Sequence, residues 1–148
     1  MRYLGVDYGS KRVGLSISDE DGRMAFPYKI LTNNLELEDS IHNFCGQENI
    51  SAIVLGSSYN KAGEKNKIMG SIEEFKKNIE GGLGLPVYLE KEFMTTIFAR
   101  GMMDEASGFV KKNINSARKI AKEKQEKADA SAATLILQRF LDRKNNKQ

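Results

Sequence analysis

The stretch LGVDYGSKRVGLSIS, residues 4–18, decides the fold of this chain. Two apolar runs flank a turn that contains glycine, which is typical of a strand, a tight turn and a return strand. Asp7 stands where the first strand ends. A rigid strand fixes the position of a carboxylate, and a glycine turn allows a bulky anionic backbone to come close to it. The stretch therefore predicts an antiparallel strand pair that presents one acid to phosphate groups.

Outward from this stretch, strand-like and helical segments alternate. A turn at residues 19–22 leads to a third strand at residues 24–31, in which Pro27 indicates an edge strand or a break. Helical periodicity covers residues 35–47 and 65–79, and a strand-like run follows each, at residues 52–56 and 86–92. The glycine-rich residues 81–84 predict the end of the second helix. Two more helices are predicted, over residues 97–106 and about 116–143.

This order of elements predicts an α/β fold with a mixed five-stranded sheet flanked by helices. The first three strands are expected to be antiparallel, and helical crossovers join the last two. The 148 residues suit one core, and no linker divides them. We therefore expect a single domain over residues 1–148.

Composition excludes several classes of protein. Charged residues make up 29% of the chain, and no apolar run approaches the roughly 18 residues that a membrane helix needs. The N-terminus shows no signal-peptide pattern, so we expect a cytoplasmic protein with no membrane partner. The single cysteine, Cys45, excludes an internal disulfide and is predicted to be a buried structural thiol. The only histidine, His42, is predicted at the surface or its boundary, so serine-based hydrolysis and zinc chemistry lack support.

Basic residues are concentrated in the last third of the chain. The formal net charge is +3, and residues 111–127 carry seven lysines and arginines against two glutamates. Such a band suits a polyanion such as nucleic acid. A solvated helix face with a frayed tail gives the same pattern, and charge alone does not separate the two interpretations.

Two further acids fit a site with Asp7. Glu90 and Glu92 lie on one face of the fifth strand, so periodicity does not choose between them. Glu92 lies nearer the carboxyl end of the strand, where sites gather in α/β sheets. Asp129 is aligned with the apolar stripe of the final helix, and a carboxylate directed toward a core is costly unless it is paired or ligates a metal. The alternatives are a surface acid at Asp7 and an ion pair with a nearby base at Asp129.

Three carboxylates of this kind suit Mg²⁺ or Mn²⁺, which take oxygen ligands and keep open positions for phosphate. Two such ions, about 3.5–4 Å apart, activate a water and stabilise the leaving oxygen of a phosphodiester. Lys11 and Arg12 are placed to contact nucleic-acid phosphates beside that site. The residues therefore predict a two-metal nuclease.

Two segments resemble a known family. Residues 4–19 closely resemble the opening motif of the YqgF (RuvX-type) family, Holliday-junction-resolvase-like proteins now mostly described as pre-16S rRNA nucleases. Residues 127–138 are similar to that family's last helix. The resemblance spans nearly the whole chain in order and length. It implies an RNase H-like three-layer fold.

The resemblance also implies a set of site residues. The catalytic, metal-binding acids fall on Asp7, Glu92 and Asp129, with Mg²⁺ or Mn²⁺ as cofactor. Further nucleic-acid contacts fall on Asn60, Thr95 and Thr96.

The chain departs from the family pattern in two places. The family's Asp-Glu-Arg is KEF here, at residues 91–93, and its Gly-Leu-Pro is GSS, at residues 56–58. Phe93 cannot replace an arginine that holds phosphate through two donors. The resemblance implies maturation of the 5′ end of pre-16S rRNA, with RNA as partner. A junction resolvase acting on structured DNA and a binding protein without turnover are the alternatives, and a homodimer is left open.

Overall fold

The computed structural model of the chain describes residues 1–57, 67–91 and 132–147. Within these ranges the strands are β1 (Arg2–Tyr8), β2 (Arg12–Ser18), β3 (Ala25–Thr32), β4 (Ile50–Ser57) and β5 (Val87–Lys91). The helices are α1 (Leu37–Gln47), α2 (Met69–Leu83) and α3 (residues 132–146). The predicted helix over 97–106 and the predicted start of the final helix lie outside the described residues.

The strands form one mixed sheet in the order β3-β2-β1-β4-β5. β1 pairs with β2, and β2 with β3, in antiparallel fashion, whereas β4 is parallel to both β1 and β5. The predicted mixed sheet with three antiparallel strands is therefore confirmed. Because β1, β4 and β5 are parallel, their carboxyl ends meet at one end of the sheet.

Helices cover both faces of this sheet. The alternating residues Leu4 and Val6 of β1 face a core formed with α1 and α2. Tyr3 points the other way, into a second core formed with Ile136, Leu137, Phe140 and Leu141 of α3. β4 contributes buried residues to both cores, as expected for a strand covered on both sides. Within the described residues, no helix is long and apolar enough to cross a membrane.

The turn between β2 and β3, and the position of β3 at the edge of the sheet, both follow from the local sequence. Gly22 adopts φ +67° in the predicted turn, and its amide donates to the Asp19 carbonyl at 3.2 Å. The Arg23 amide donates to the Asp19 carboxylate and holds the pKa of that side chain below its usual value. β3 is an edge strand of the sheet, and its pairing with β2 shifts register at Pro27. Both predictions made from that proline are confirmed.

The second helix ends within the predicted glycine-rich segment, but four residues later than the predicted last helical residue, Ile79. α2 continues through Gly81 and Gly82 to Leu83, and Gly84 ends it in the left-handed conformation at φ +67°. A helical glycine costs only about 1 kcal/mol, which burial of the apolar stripe at Ile72 and Ile79 exceeds. Of the glycines at positions 81, 82 and 84, only Gly84 takes the left-handed conformation that stops a helix.

Other boundaries differ by a few residues. α1 begins at Leu37 rather than residue 35, β4 extends over Ile50–Ser57, and α3 continues to residue 146 rather than 143. These shifts are of the size expected at element ends, where fraying and pairing with neighbours override the local pattern.

Candidate active site

Asp7 lies near the carboxyl end of β1, which is the central strand of the sheet. It is paired in register with Gly14 of β2 and is half-buried. Because side chains alternate along a strand, Asp7 shares its face with Tyr3 and Gly5. Tyr3 belongs to the core under α3, so the Asp7 carboxylate lies on the α3 side of the sheet.

Small residues beside Asp7 allow α3 to approach the sheet closely. Gly5 is paired with Ser16, whose hydroxyl donates to the Ala133 carbonyl at 2.7 Å. A Cβ at Gly5 would lie 2.8 Å from Leu137 Cβ and 3.0 Å from the Ala133 carbonyl oxygen, and would clash with Ser16 Oγ. These small residues of β1 and β2 are thus where the last helix docks.

The direction of α3 brings its N-terminal end toward Asp7. Ala133 contacts the sheet at Gly5, whereas the Phe140 ring lies 5.7 Å from the ring of Tyr3. Between Ala133 and Phe140 the helix therefore runs antiparallel to β1, with Ala133 toward the carboxyl end of that strand. Asp129 precedes Ala133 by four positions in the sequence and lies outside the described residues.

The end of β5 reaches the same end of the sheet. Lys91 pairs with Ser57 of β4, and Val6 of β1 pairs with Leu55, so these strand ends are level with Asp7 to within a residue or two. Glu92 follows Lys91 directly in the sequence and is outside the described residues. The Arg139 guanidinium donates to the Lys91 carbonyl at 3.3 Å and ties α3 to this strand end.

Glu90 has a structural partner. It is buried, and Arg143 binds both of its carboxylate oxygens, at 2.6 Å through Nη2 and 3.2 Å through Nη1. A carboxylate neutralised in this two-pronged way is a poor candidate for a metal ligand. Sequence reasoning missed this pair, although Arg143 follows the buried Ile136 by seven positions and so lies on nearly the same face of α3.

Lys11 and Arg12 lie at the turn between β1 and β2, and Asn33, which directly follows β3, holds this turn. Lys11 is exposed and Arg12 half-buried at the start of β2. Asn33, just after β3, donates from its amide to the Lys11 carbonyl at 2.9 Å and from its side chain to the Gly9 carbonyl at 2.8 Å. Asn33 was not predicted to have a role. The only sequence signal was an amide residue at a strand end, where such side chains commonly cap backbone groups.

Of the other residues for which the sequence made a prediction, Cys45 and His42 lie within the described ranges. Cys45 is buried, which confirms the predicted buried thiol, and its burial raises its pKa to about 11. His42 is half-buried against Gly82, at the boundary between α1 and α2. Asn60, Thr95 and Thr96 lie outside the described residues. Residues 1–57, 67–91 and 132–147 contain no group of three acidic, histidine or cysteine side chains that could hold a metal, and of the three predicted ligands only Asp7 falls in these ranges.

The topology defines an RNase H-like fold. Thermus thermophilus RuvC in complex with a Holliday junction substrate superposes with a TM-score of 0.56, at 12% identity, over 98% of this chain and 96% of that one. A fowlpox virus resolvase, solved with Holliday junction DNA, superposes with a TM-score of 0.56, at 13% identity, over 97% and 98% of the two chains. The predicted fold is confirmed.

Sequence comparison gives the family. The family described as RuvX, Holliday junction resolvase, matches residues 1–143. A Pelagibacter ubique protein named "Putative pre-16S rRNA nuclease" is 33% identical over 99% of this chain and 91% of its own length. A relative of the same name in Maridesulfovibrio salexigens is 31% identical over 97% and 99% of the two chains. The chain belongs to the RuvX family, and the predicted membership of a nuclease family is confirmed.

Proposed function

We propose that this protein is a metal-dependent nuclease that hydrolyses phosphodiester bonds in maturing the 5′ end of pre-16S rRNA. One structural observation carries this proposal: Asp7 lies near the carboxyl end of β1, on the sheet face that α3 covers and in the same parallel set of strands as β5. In the sequence, Glu92 directly follows Lys91, the last residue of β5, and Asp129 stands four positions before Ala133. The names of the relatives supply the RNA substrate.

The donors in this proposal suit a hard cation. Asp7, Glu92 and Asp129 would hold Mg²⁺ or Mn²⁺ through carboxylate oxygens, and the half-buried position of Asp7 suits a charge that a cation compensates. Such ions polarise the phosphoryl oxygens and lower the pKa of a bound water. Glu90 is excluded from this set because Arg143 already neutralises it.

The remaining residues of the proposed site position the nucleic acid. Lys11 and Arg12, on the turn fixed by Asn33, contact backbone phosphates beside Asp7. Asn60, Thr95 and Thr96 complete the contacts. Phe93 lacks the charge of the family's arginine, so we expect phosphate contact there to be weaker than the family norm.

The test is Mn²⁺-dependent cleavage of a fragment that spans the 5′ end of 16S rRNA in its precursor. Asp7→Asn keeps the size of the side chain and removes its charge. We expect cleavage to fall by at least about 100-fold, because even the partners of metal ligands are worth roughly 10- to 100-fold. The matched control is Asp21→Asn, an exposed acid in the β2–β3 turn, which should cleave at the wild-type rate. Equal rates for Asp7→Asn and wild type would overturn the proposal.

A DNA substrate is the second candidate, because the family is described as a Holliday junction resolvase. The same preparation is therefore assayed on a four-way DNA junction. Cleavage of the junction alone, lost in Asp7→Asn, would replace the RNA substrate but keep the chemistry. Binding of both substrates without cleavage of either would identify a binding protein on a nuclease fold.

The proposed substrate also implies where the protein acts. A processor of ribosomal RNA precursors works in the cytoplasm, which agrees with a chain whose one cysteine has no partner for a disulfide. A homodimer stays a prediction.

A further inference from the structure

A cleft of about 330 Å³ lies beside the C-terminal half of α3, next to Tyr3 of β1 and Tyr88 of β5. Its lining combines aromatic rings with basic side chains: Tyr3, Tyr88, Phe140, Arg143, Lys144 and Lys147. None of these residues belongs to the site proposed around Asp7.

The floor of the cleft is a set of ordered aromatic rings. The Phe140 ring stacks on Tyr88 with centroids 5.3 Å apart and planes inclined by 29°, and it also packs against Tyr3. Phe140 and Tyr3 are buried, whereas Tyr88 is 44% exposed. Tyr88 is therefore held by a buried partner while it presents much of its surface to the cleft. A ring fixed in this way loses little entropy when a planar ligand stacks on it.

The rim of the cleft is positively charged. The Arg143 guanidinium lies 5.9 Å from the Phe140 centroid, and Lys144 Nζ lies 5.3 Å from the Tyr3 centroid. Lys147 is exposed at the mouth. Glu90 balances the charge of Arg143 through their ion pair, so the net positive charge of the rim comes from Lys144 and Lys147.

From this arrangement we propose that the cleft binds a single-stranded segment of nucleic acid, with one base stacked on Tyr88 and backbone phosphates on Lys144 and Lys147. Aromatic platforms beside basic side chains are the common means of holding single strands without reading their sequence. A base supplies the flat apolar face that the rings fit, and the phosphates supply the charge that the lysines fit. A duplex does not fit, because its bases are stacked on one another.

The position of the cleft relates it to the proposed cleavage site, and to this extent it rests on the proposed function. Tyr3 and Asp7 lie on the same face of β1, four residues apart, which is about 13 Å at the usual rise of roughly 3.3 Å per residue. A few nucleotides span that distance. The cleft thus serves as an anchor for a single-stranded part of the substrate while another part lies at Asp7.

The test measures binding without cleavage, by fluorescence anisotropy of a labelled oligouridine in EDTA. Tyr88→Ala should weaken binding by about 5- to 150-fold, the range for loss of one stacked base, whereas Tyr88→Phe keeps the ring and should bind like wild type. Lys144→Gln with Lys147→Gln should make the dependence of log K on log[salt] less steep by about 1.4, at about 0.7 for each phosphate contact on a single strand. The matched control is Lys67→Gln with Lys77→Gln, which should leave the slope unchanged; both lysines are exposed, one two residues before α2 and one within it. Thermal melting of each variant checks that it is folded.

The outcomes separate this proposal from the nuclease activity. Wild-type affinity in Tyr88→Ala, or no binding of oligouridine by the wild type, would overturn the cleft even if Mn²⁺-dependent cleavage persists. Selective loss of binding in the cleft variants would establish it even if no substrate is cleaved. A duplex of the same length that binds as tightly, with the same loss in Tyr88→Ala, would also overturn it. Oligodeoxythymidine measured in parallel shows whether the strand is RNA or DNA.

Discussion

At the scale of single residues, Gly5 decides how close α3 comes to the sheet. The residue lies opposite Ser16 in the β1–β2 pair and beneath Ala133 and Leu137 of the helix. Because Gly5 has no side chain, the Ser16 hydroxyl reaches the Ala133 carbonyl and its buried oxygen is satisfied. The same contact fixes Ala133 of α3 beside Gly5, two residues along β1 from Asp7. One glycine therefore sets how closely α3 packs on the sheet beside Asp7.

Gly5→Ala is expected to lower the free energy of unfolding by about 1–3 kcal/mol, the usual cost of adding atoms to a well-packed core. The added Cβ meets backbone and buried side chains that cannot give way. Gly46→Ala is the matched control, because nothing lies within 4 Å of a Cβ at that position in α1. The control should raise the free energy of unfolding by about 0.5–1 kcal/mol. Urea denaturation measures both, and equal effects in the two variants would contradict the close approach of α3.

At the scale of elements, α2 shows two neighbouring glycines with different surroundings. A Cβ at Gly81 would meet nothing within 4 Å, whereas a Cβ at Gly82 would lie 2.7 Å from both Cε1 and Nε2 of His42 on α1. Gly82 thus makes room for the histidine and lets α1 and α2 lie side by side. Gly81 has no such contact and lowers the intrinsic stability of the helix.

Gly81→Ala is expected to raise the free energy of unfolding by about 0.5–1 kcal/mol, because it restores helix propensity at no steric cost. Gly82→Ala should give none of this gain, because the imidazole ring of His42 must move. Adding His42→Ala to Gly82→Ala should bring the gain back, relative to His42→Ala alone. Urea denaturation of the four variants provides the measurement. A gain in Gly82→Ala as large as in Gly81→Ala would show that the two helices do not pack as described.

At the scale of the whole molecule, α3 completes the core that contains Tyr3 of β1. Ile136, Leu137 and Leu141 are fully buried against one face of the sheet, and α1 and α2 cover the other. Gln138 adds polar contacts, accepting from the Ala25 amide at 2.8 Å and donating to the Arg23 carbonyl at 2.9 Å. A sheet whose strands are apolar on both faces is stable only when both layers are present. We therefore propose one cooperative domain over residues 1–148.

Leu137→Ala is expected to lower the free energy of unfolding by about 2–5 kcal/mol, the range for truncating a buried leucine. The matched control is Leu35→Ala, because Leu35 is fully exposed and its truncation should change stability by less than about 0.5 kcal/mol. Far-ultraviolet circular dichroism and tyrosine fluorescence, followed in the same urea titration, should give one coincident transition. Two separated transitions would contradict the single domain.

Much of the fold was determined by local sequence. Alternation placed β1, β2 and β3, Asp19 and Gly22 placed the turn between the last two, and Pro27 placed the edge. The position of Asp7 at a strand end followed from the same apolar runs. These features depend on backbone conformation and on residues a few positions apart, which a pattern in one chain reports directly.

Other features were decided only in the tertiary structure. The sequence offered Glu90 and Glu92 on one strand face, and only the packing of α3 showed that Arg143 neutralises Glu90. The end of α2 passed two glycines because burial of Ile72 and Ile79 against the sheet outweighs the cost of glycine in a helix. Asn33 gained its role because β3 returns beside the turn that follows β1. In each case the deciding partner lies tens of residues away in the sequence. The free energy of such a contact depends on the folded geometry and not on local composition, so no local pattern could report it.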